Sequence, residues 1–421
     1  MYNVTKLKNG LTVATVEMPH MTSVSLGIWV GVGGRYEPAE ASGICHFIEH
    51  MLFKGTHRRS ARQISQDVEG VGGYLNAFTS EEMTCYHSKA CHDRFSELLD
   101  VLTDMFLNSR FEAKDIDKER SVIKEELAMY LDQPQHQVQE LLNETLWPGQ
   151  PLGRALTGTE KTLDSLTRRC LMTYQQTHYV ADRTIIAVAG RLNHKKIVKA
   201  VSRIAHRFPQ GRRPQFIPAV GKQTQPNIRL FTKETEQTQL ALGIRTCSRH
   251  DQRRFALRLL NTMLGENMSS RLFQVIREDC GLAYSVYSSL SYFDDVGTLT
   301  VSAGLDVAKL TQTLKLIMRE LGQFTRALPT AGEMRRARDY ILGQIDLSLE
   351  STDSQMMWLG EQLLGYDKTI PPEEIKQRIS EVKASEIRAA AREFFRPERL
   401  NLALVSPLKS DKGLAALLKI S

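Results

Sequence analysis

No apolar run in this 421-residue chain reaches the ~18 residues needed to cross a bilayer as a helix, which argues against a membrane-spanning protein. The first residues, MYNVTKLKNGLTVATV, contain no basic region, apolar stretch or small-residue cleavage site. They do not read as a secretory segment, so cytoplasmic residence is expected. Cysteine is sparse. The six (Cys45, Cys85, Cys91, Cys170, Cys247 and Cys280) include no CxxC pair. That argues against a disulfide framework or a thiolate zinc site and for reduced thiols. Aromatic residues are only 7% of the chain and do not interleave with a basic stripe. The net charge of +7 gathers around residues 207–216 and 245–258. We read it as solvated surface, with no nucleic-acid partner.

What is present suits a soluble globular chain, with 42% hydrophobic and 24% charged residues. The length exceeds one ordinary core and predicts several domains. Pro209, Gly211, Arg212, Arg213, Pro214 and Pro218 interrupt any helix or strand period near mid-chain. They mark a linker at 211–222 between an N-terminal half, 1–210, and a C-terminal half, 223–421. The halves echo each other: Leu26-Gly27-Ile28 recurs as Leu242-Gly243-Ile244, and a helical stretch follows each. Strand patterns at 11–16, 84–87, 184–189, 228–231 and 297–303 mix irregularly with helical patterns at 91–107, 112–131, 308–326 and 331–350. The fold class is therefore α+β.

The sharpest chemical signal is His46-Phe47-Ile48-Glu49-His50. Residues i and i+4 of a helix share a face, so both imidazoles can address one ion. Glu49 then lies close enough to take a proton from a metal-activated water. This is the inverted form of the HExxH arrangement. A catalytic zinc usually takes three protein ligands. The helix over 112–131 offers Glu119, Glu125 and Glu126, and the seven-residue spacing of Glu119 and Glu126 puts those two on one face. Spacing alone leaves the three open.

Several stretches together resemble the pitrilysin/insulinase-type zinc peptidases, in the branch of the mitochondrial processing peptidase subunits and their single-unit bacterial relatives. They are Gly43–Thr56 (GICHFIEHMLFKGT), Gly72–Tyr86 (GGYLNAFTSEEMTCY), Glu119–Glu126 (ERSVIKEE), Pro151–Gly158 (PLGRALTG), Tyr179–Gly190 and Gly265–Ser289. The resemblance implies Zn2+, one per chain, held by His46, His50 and Glu126, with Glu119 supporting the site. It implies that Asn76 and Ala77 lie on an edge strand beside a peptide substrate. The second half has Asn261-Thr262-Met263-Leu264-Gly265 where its own histidines would stand. By resemblance, Arg277 and Tyr284 from that half would reach the substrate as hydrogen-bond donors.

The expectation is a zinc metalloendopeptidase whose two halves close like a clamshell around a chamber, acting on oligopeptides or unfolded segments. With both motifs on one chain, a homodimer is expected, and no membrane partner. No strongly glycine-rich loop like that of the regulatory processing subunit is present. The rival expectations are a non-catalytic assembly subunit of the same fold and a catalytic subunit that needs a paired partner chain. The ligand set also suits manganese or cobalt.

Overall fold

A computed structural model describes residues 2–420 of the chain. Strands β1 (Tyr2–Lys6), β2 (Thr12–Glu17), β3 (Ser23–Val30), β4 (Tyr74–Thr79), β5 (Thr84–Cys91) and β6 (Thr184–Gly190) form one sheet, ordered β1-β2-β6-β3-β5-β4. Strands β7 (Asn227–Thr232), β8 (Thr238–Thr246), β9 (Ala283–Tyr292), β10 (Gly297–Leu305) and β11 (Leu400–Ser406) form a second, ordered β7-β11-β8-β10-β9. Leaving out β1, the two orders match strand for strand. The one parallel pair in each, β2 with β6 and β7 with β11, falls at the same place. The chain is α+β and built of two homologous halves. Leu26-Gly27-Ile28 lies on β3 and its echo on the equivalent strand β8.

The principal helices are α1 (Ile44–Leu52), α2 (Phe95–Asn108), α3 (Ala113–Asp132), α4 (Pro134–Leu146), α5 (Arg253–Asn261), α6 (Leu310–Arg326), α7 (Ala331–Ser348) and α8 (Thr352–Tyr366). The helix expected over 91–107 begins later. β5 runs to Cys91, His92 donates its N–H to Thr22 O at 2.9 Å, and one 3-10 turn precedes Phe95. Among the described residues no helix is long and apolar enough to cross a membrane. All six cysteines are free; Cys45, Cys85 and Cys247 are buried and the other three exposed.

Two compact units result, and they are not the contiguous halves 1–210 and 223–421 drawn from the sequence. The first contains the chain up to Ala128, Arg154–Ile217 and Asp346–Ile370; the second contains Met129–Gly153, Pro218–Ile345 and the chain from Pro371 onward. Each half thus lends one helix to the other unit. In the first unit, α1 and α2 cover one sheet face, where Leu26, Ile28 and Ile186 meet Phe47, Ile48 and Leu102. The lent α8 covers the opposite face with Met356, Leu359 and Leu363 against Trp29, Ala187 and Ala189. In the second unit, the lent α4 lays Val138, Leu142 and Leu146 on Ala241, Ala403 and Val405. Burial on both faces explains why β3 and β8 lack a polar alternation. Within the linker region, residues 209–226 form neither helix nor strand, and the unit boundary falls between Ile217 and Pro218.

The repeated glycines now have a reason. A Cβ on Gly27 would lie 2.5 Å from Met356 Sδ, and one on Gly243 would lie 2.8 Å from Leu142's neighbour Leu146 Cδ1. Each admits the lent helix of its own unit. Gly360 of α8 is tighter still, since a Cβ there would lie 2.2 Å from Cε2 of fully buried Trp29. Gly360→Ala would gain about 1 kcal/mol of helix propensity. Forcing a methyl into the indole should cost about 1–3 kcal/mol. A net loss of stability is expected in denaturant unfolding, and a variant as stable as the wild type would contradict this packing.

Candidate metal centre

α1 is built to present one polar face. Ile44, Cys45, Phe47, Ile48, Met51 and Leu52 are buried in the sheet-facing core. His46, Glu49 and His50 fall on the remaining, partly exposed side. Gly43 starts the helix at φ 92°, a left-handed conformation suited to glycine, and a Cβ there would meet Thr157 O at 2.7 Å. The buried Glu37 carboxylate receives two backbone donors of this first turn, Gly43 N–H at 2.7 Å and Cys45 N–H at 2.8 Å, one on each oxygen. It therefore fixes the start of the helix.

α3 brings the third candidate ligand. Its Ile116, Glu119 and Ile123 are buried, Glu126 is partly exposed and Glu125 is exposed. Glu126 Oε2 lies 3.8 Å from His46 Nε2 and 3.6 Å from His50 Nε2. The ligand atoms of His46, His50 and Glu126 all fall within 4.8 Å of one another. Bonds of ~2.0–2.2 Å from a tetrahedral ion put its ligands ~3.3–3.6 Å apart, so small adjustments close this set. Glu119 Oε2 lies 3.2 Å from His50 Nδ1, and its Oε1 lies 2.7 Å from Lys54 Nζ. A carboxylate behind a ligating imidazole orients the ring and leaves Nε2 free to bind. His46 Nδ1 is buried without a hydrogen-bond partner.

The charges point the same way. Burial, with a contribution from neighbouring His50, lowers the His46 pKa to about 4, against the pull of Glu126. The ring is neutral near pH 7, as a metal ligand must be. Burial raises the Glu49 carboxyl, and the nearby Glu126 charge raises it further, while Thr79 and His50 pull it down. Lys54 is paired with Glu119, and the donor set of two imidazoles and a carboxylate fits zinc.

Asn76 and Ala77 lie on β4, the edge of the first sheet, with Ala77 N–H held by Asn76 Oδ1 at 2.8 Å. Arg277 and Tyr284 belong to the second unit. Arg277 lies in a π-helical turn with its guanidinium 4.8 Å from the Phe273 ring and 5.8 Å from that of Tyr284, which is 76% exposed on edge strand β9. In that unit Arg258, Asn261 and Thr262 all converge on Glu266, the first at 2.8 Å. This hydrogen-bonded cluster stands near the position where histidines would be expected. Three further contributors escaped the sequence reading: Glu37, Lys54 and Thr79, whose hydroxyl donates to Glu49 Oε2 at 2.6 Å. Periodicity carries no signal for them, because each acts across a turn or between elements.

Burial pushes the Glu37 carboxyl up to about 7 despite its two backbone donors. The folded state then binds the proton more tightly than the unfolded chain, whose carboxyl titrates at ~4.3. Stability from this group is highest below that pH, falls as pH rises toward about 7 and then levels. The loss amounts to about 3–4 kcal/mol. In metal-free protein, Glu37→Gln should flatten the decline between pH 5 and 7, read from denaturant unfolding at each pH. An unchanged slope would contradict the assignment.

Known proteins resemble this chain over most of its length. The family description "Insulinase (Peptidase family M16)" matches residues 12–160, and "Peptidase M16 inactive domain" matches residues 165–341. The chain is 38% identical over 407 residues to a Bacillus subtilis protein named "Uncharacterized zinc protease YmxG", covering 95% of this chain and 97% of that one. It is 37% identical over 421 residues to "Uncharacterized zinc protease ML0855" of Mycobacterium leprae, covering 99% and 94%. In fold it is similar to a solved protease from Helicobacter pylori, with a TM-score of 0.89 at 21% identity over 97% of this chain and 99% of that one.

Proposed function

The chain belongs to the insulinase family of peptidases, family M16, and on that premise we propose that it is a zinc-dependent endopeptidase acting on oligopeptides or unfolded segments. The observation that carries this reading is the convergence of His46, His50 and Glu126, with Glu49 on the same helix face. The names of its relatives, as zinc proteases, support zinc as the metal. Zinc held by these three side chains would acidify a water to a pKa near ~7 and polarise the scissile carbonyl. Glu49 takes the proton of the attacking water and returns it to the leaving amine. Glu119 holds the His50 ring in the tautomer whose Nε2 is free. A peptide adds to the open edge of β4 beside Asn76 and Ala77 through backbone hydrogen bonds. Arg277 and Tyr284 would serve as hydrogen-bond donors to a substrate, a role drawn from the family resemblance.

Because the motif residues of both halves are on one chain, we propose a self-sufficient subunit that forms a homodimer in the cytoplasm. The test is incubation of the zinc-loaded chain with a mixed peptide library and mass-spectrometric identification of the cut bonds. Cuts at internal bonds are expected. A stably zinc-loaded chain that cuts no peptide would overturn the proposal.

A further inference from the structure

We infer that Thr79 is a positioning residue for Glu49, and that the hairpin turn after β4 is anchored to hold it there. The inference rests on the reading of Glu49 as the base. Thr79 is the last residue of β4, paired with Thr84 of β5. Its hydroxyl donates to Glu49 Oε2 at 2.6 Å, across 30 residues of sequence. With one oxygen engaged, the carboxylate has a defined plane and presents its other oxygen to water. The long Glu side chain otherwise rotates freely about three bonds. Thr79 itself is constrained at χ1 by its β-branch.

The turn that follows is fastened at several points. Ser80 N–H donates to Met83 O at 2.8 Å, and Ser80 Oγ to the same oxygen at 3.0 Å. From the neighbouring loop, Gly34 N–H donates to Ser80 O at 3.0 Å and Arg35 N–H to Glu81 O at 2.8 Å. Arg35 Nη1 pairs with Glu82 Oε1 at 2.7 Å, both side chains almost wholly buried. Thr84 Oγ1 donates to Val32 O at 2.9 Å. Gly33 allows the close approach, since a Cβ there would lie 2.0 Å from Ser80 O. A turn that merely joined two strands would not require a buried ion pair, which is costly to desolvate. Here it sets the end of β4 and, through Thr79, the carboxylate.

The experiment compares wild type, Thr79→Val and Thr79→Ser, all zinc-loaded, on one cleaved peptide, with metal content measured on each. Valine keeps the shape and strand preference but removes the donor; serine keeps the donor and removes the methyl. A positioning hydroxyl predicts a kcat loss of about 10- to 100-fold for Thr79→Val, as for one hydrogen bond to a charged group. KM and zinc content should stay as in wild type, and Thr79→Ser should recover most of the kcat. A purely packing role predicts the reverse order, with serine the poorer variant, and that order would overturn the inference. So would an active wild type with Thr79→Val equal to it in kcat. A wild type that binds zinc and cleaves nothing would instead overturn the peptidase reading, and this inference with it.

Discussion

Glu49→Gln is expected to lower kcat by about 10²- to 10⁴-fold, the range attributed to a positioned general base. The amide is close in size to the carboxylate, and its oxygen still accepts from Thr79, so the side chain keeps its place. His46, His50 and Glu126 are untouched, so zinc content and KM should hardly change. Loss confined to kcat separates a base from a ligand or a packing residue. Steady-state kinetics with metal analysis on the same preparation checks it. A variant that cleaves as fast as wild type would remove Glu49 from the mechanism.

Glu126→Gln should act on the metal instead. A neutral amide is a poor zinc ligand, so affinity should fall by at least about 100-fold, more than the loss typical of a group merely supporting a ligand. Wild type should gain about 3–4 kcal/mol of stability when zinc exceeds its dissociation constant 100- to 1,000-fold. The variant should gain no more than about 0.4–1.4 kcal/mol at the same zinc concentration. Without metal the two should be close in stability, because Glu126 repels Glu49 but attracts the His46 ring. Denaturant unfolding with and without zinc reads both states. Equal zinc stabilisation of the two proteins would exclude Glu126 as a ligand.

Much of this site was legible because its central residues are local. His46, Glu49 and His50 lie within five positions, and helical geometry alone puts them on one face. The third candidate ligand is not local. Glu119, Glu125 and Glu126 are equivalent as letters, and only the placement of α3 separates them. Glu119 is buried against His50 and Lys54, Glu125 is exposed and Glu126 meets both histidines. The resemblance implies Glu126, and of the three glutamates Glu126 is the one grouped with both histidines.

The fold shows the same division. The echo of Leu26-Gly27-Ile28 in Leu242-Gly243-Ile244 marked equivalent strands, and the strand patterns fell where β2, β5, β6, β7 and β10 are. The exchange of α4 and α8 between units left no trace, since an apolar helix face does not name the sheet it covers. The glycines were read as part of a repeat, although their reason is steric. Glu37 and Thr79 were missed for a related reason: their hydrogen bonds to α1 span loops whose geometry no periodicity encodes.

The most direct test of the account is zinc content and peptide cleavage measured together on one sample, before chelation, after chelation and after zinc is restored. The account predicts about one zinc per chain, cleavage that disappears with the metal, and cleavage that returns with it. Cleavage that persists in fully metal-free protein would contradict it.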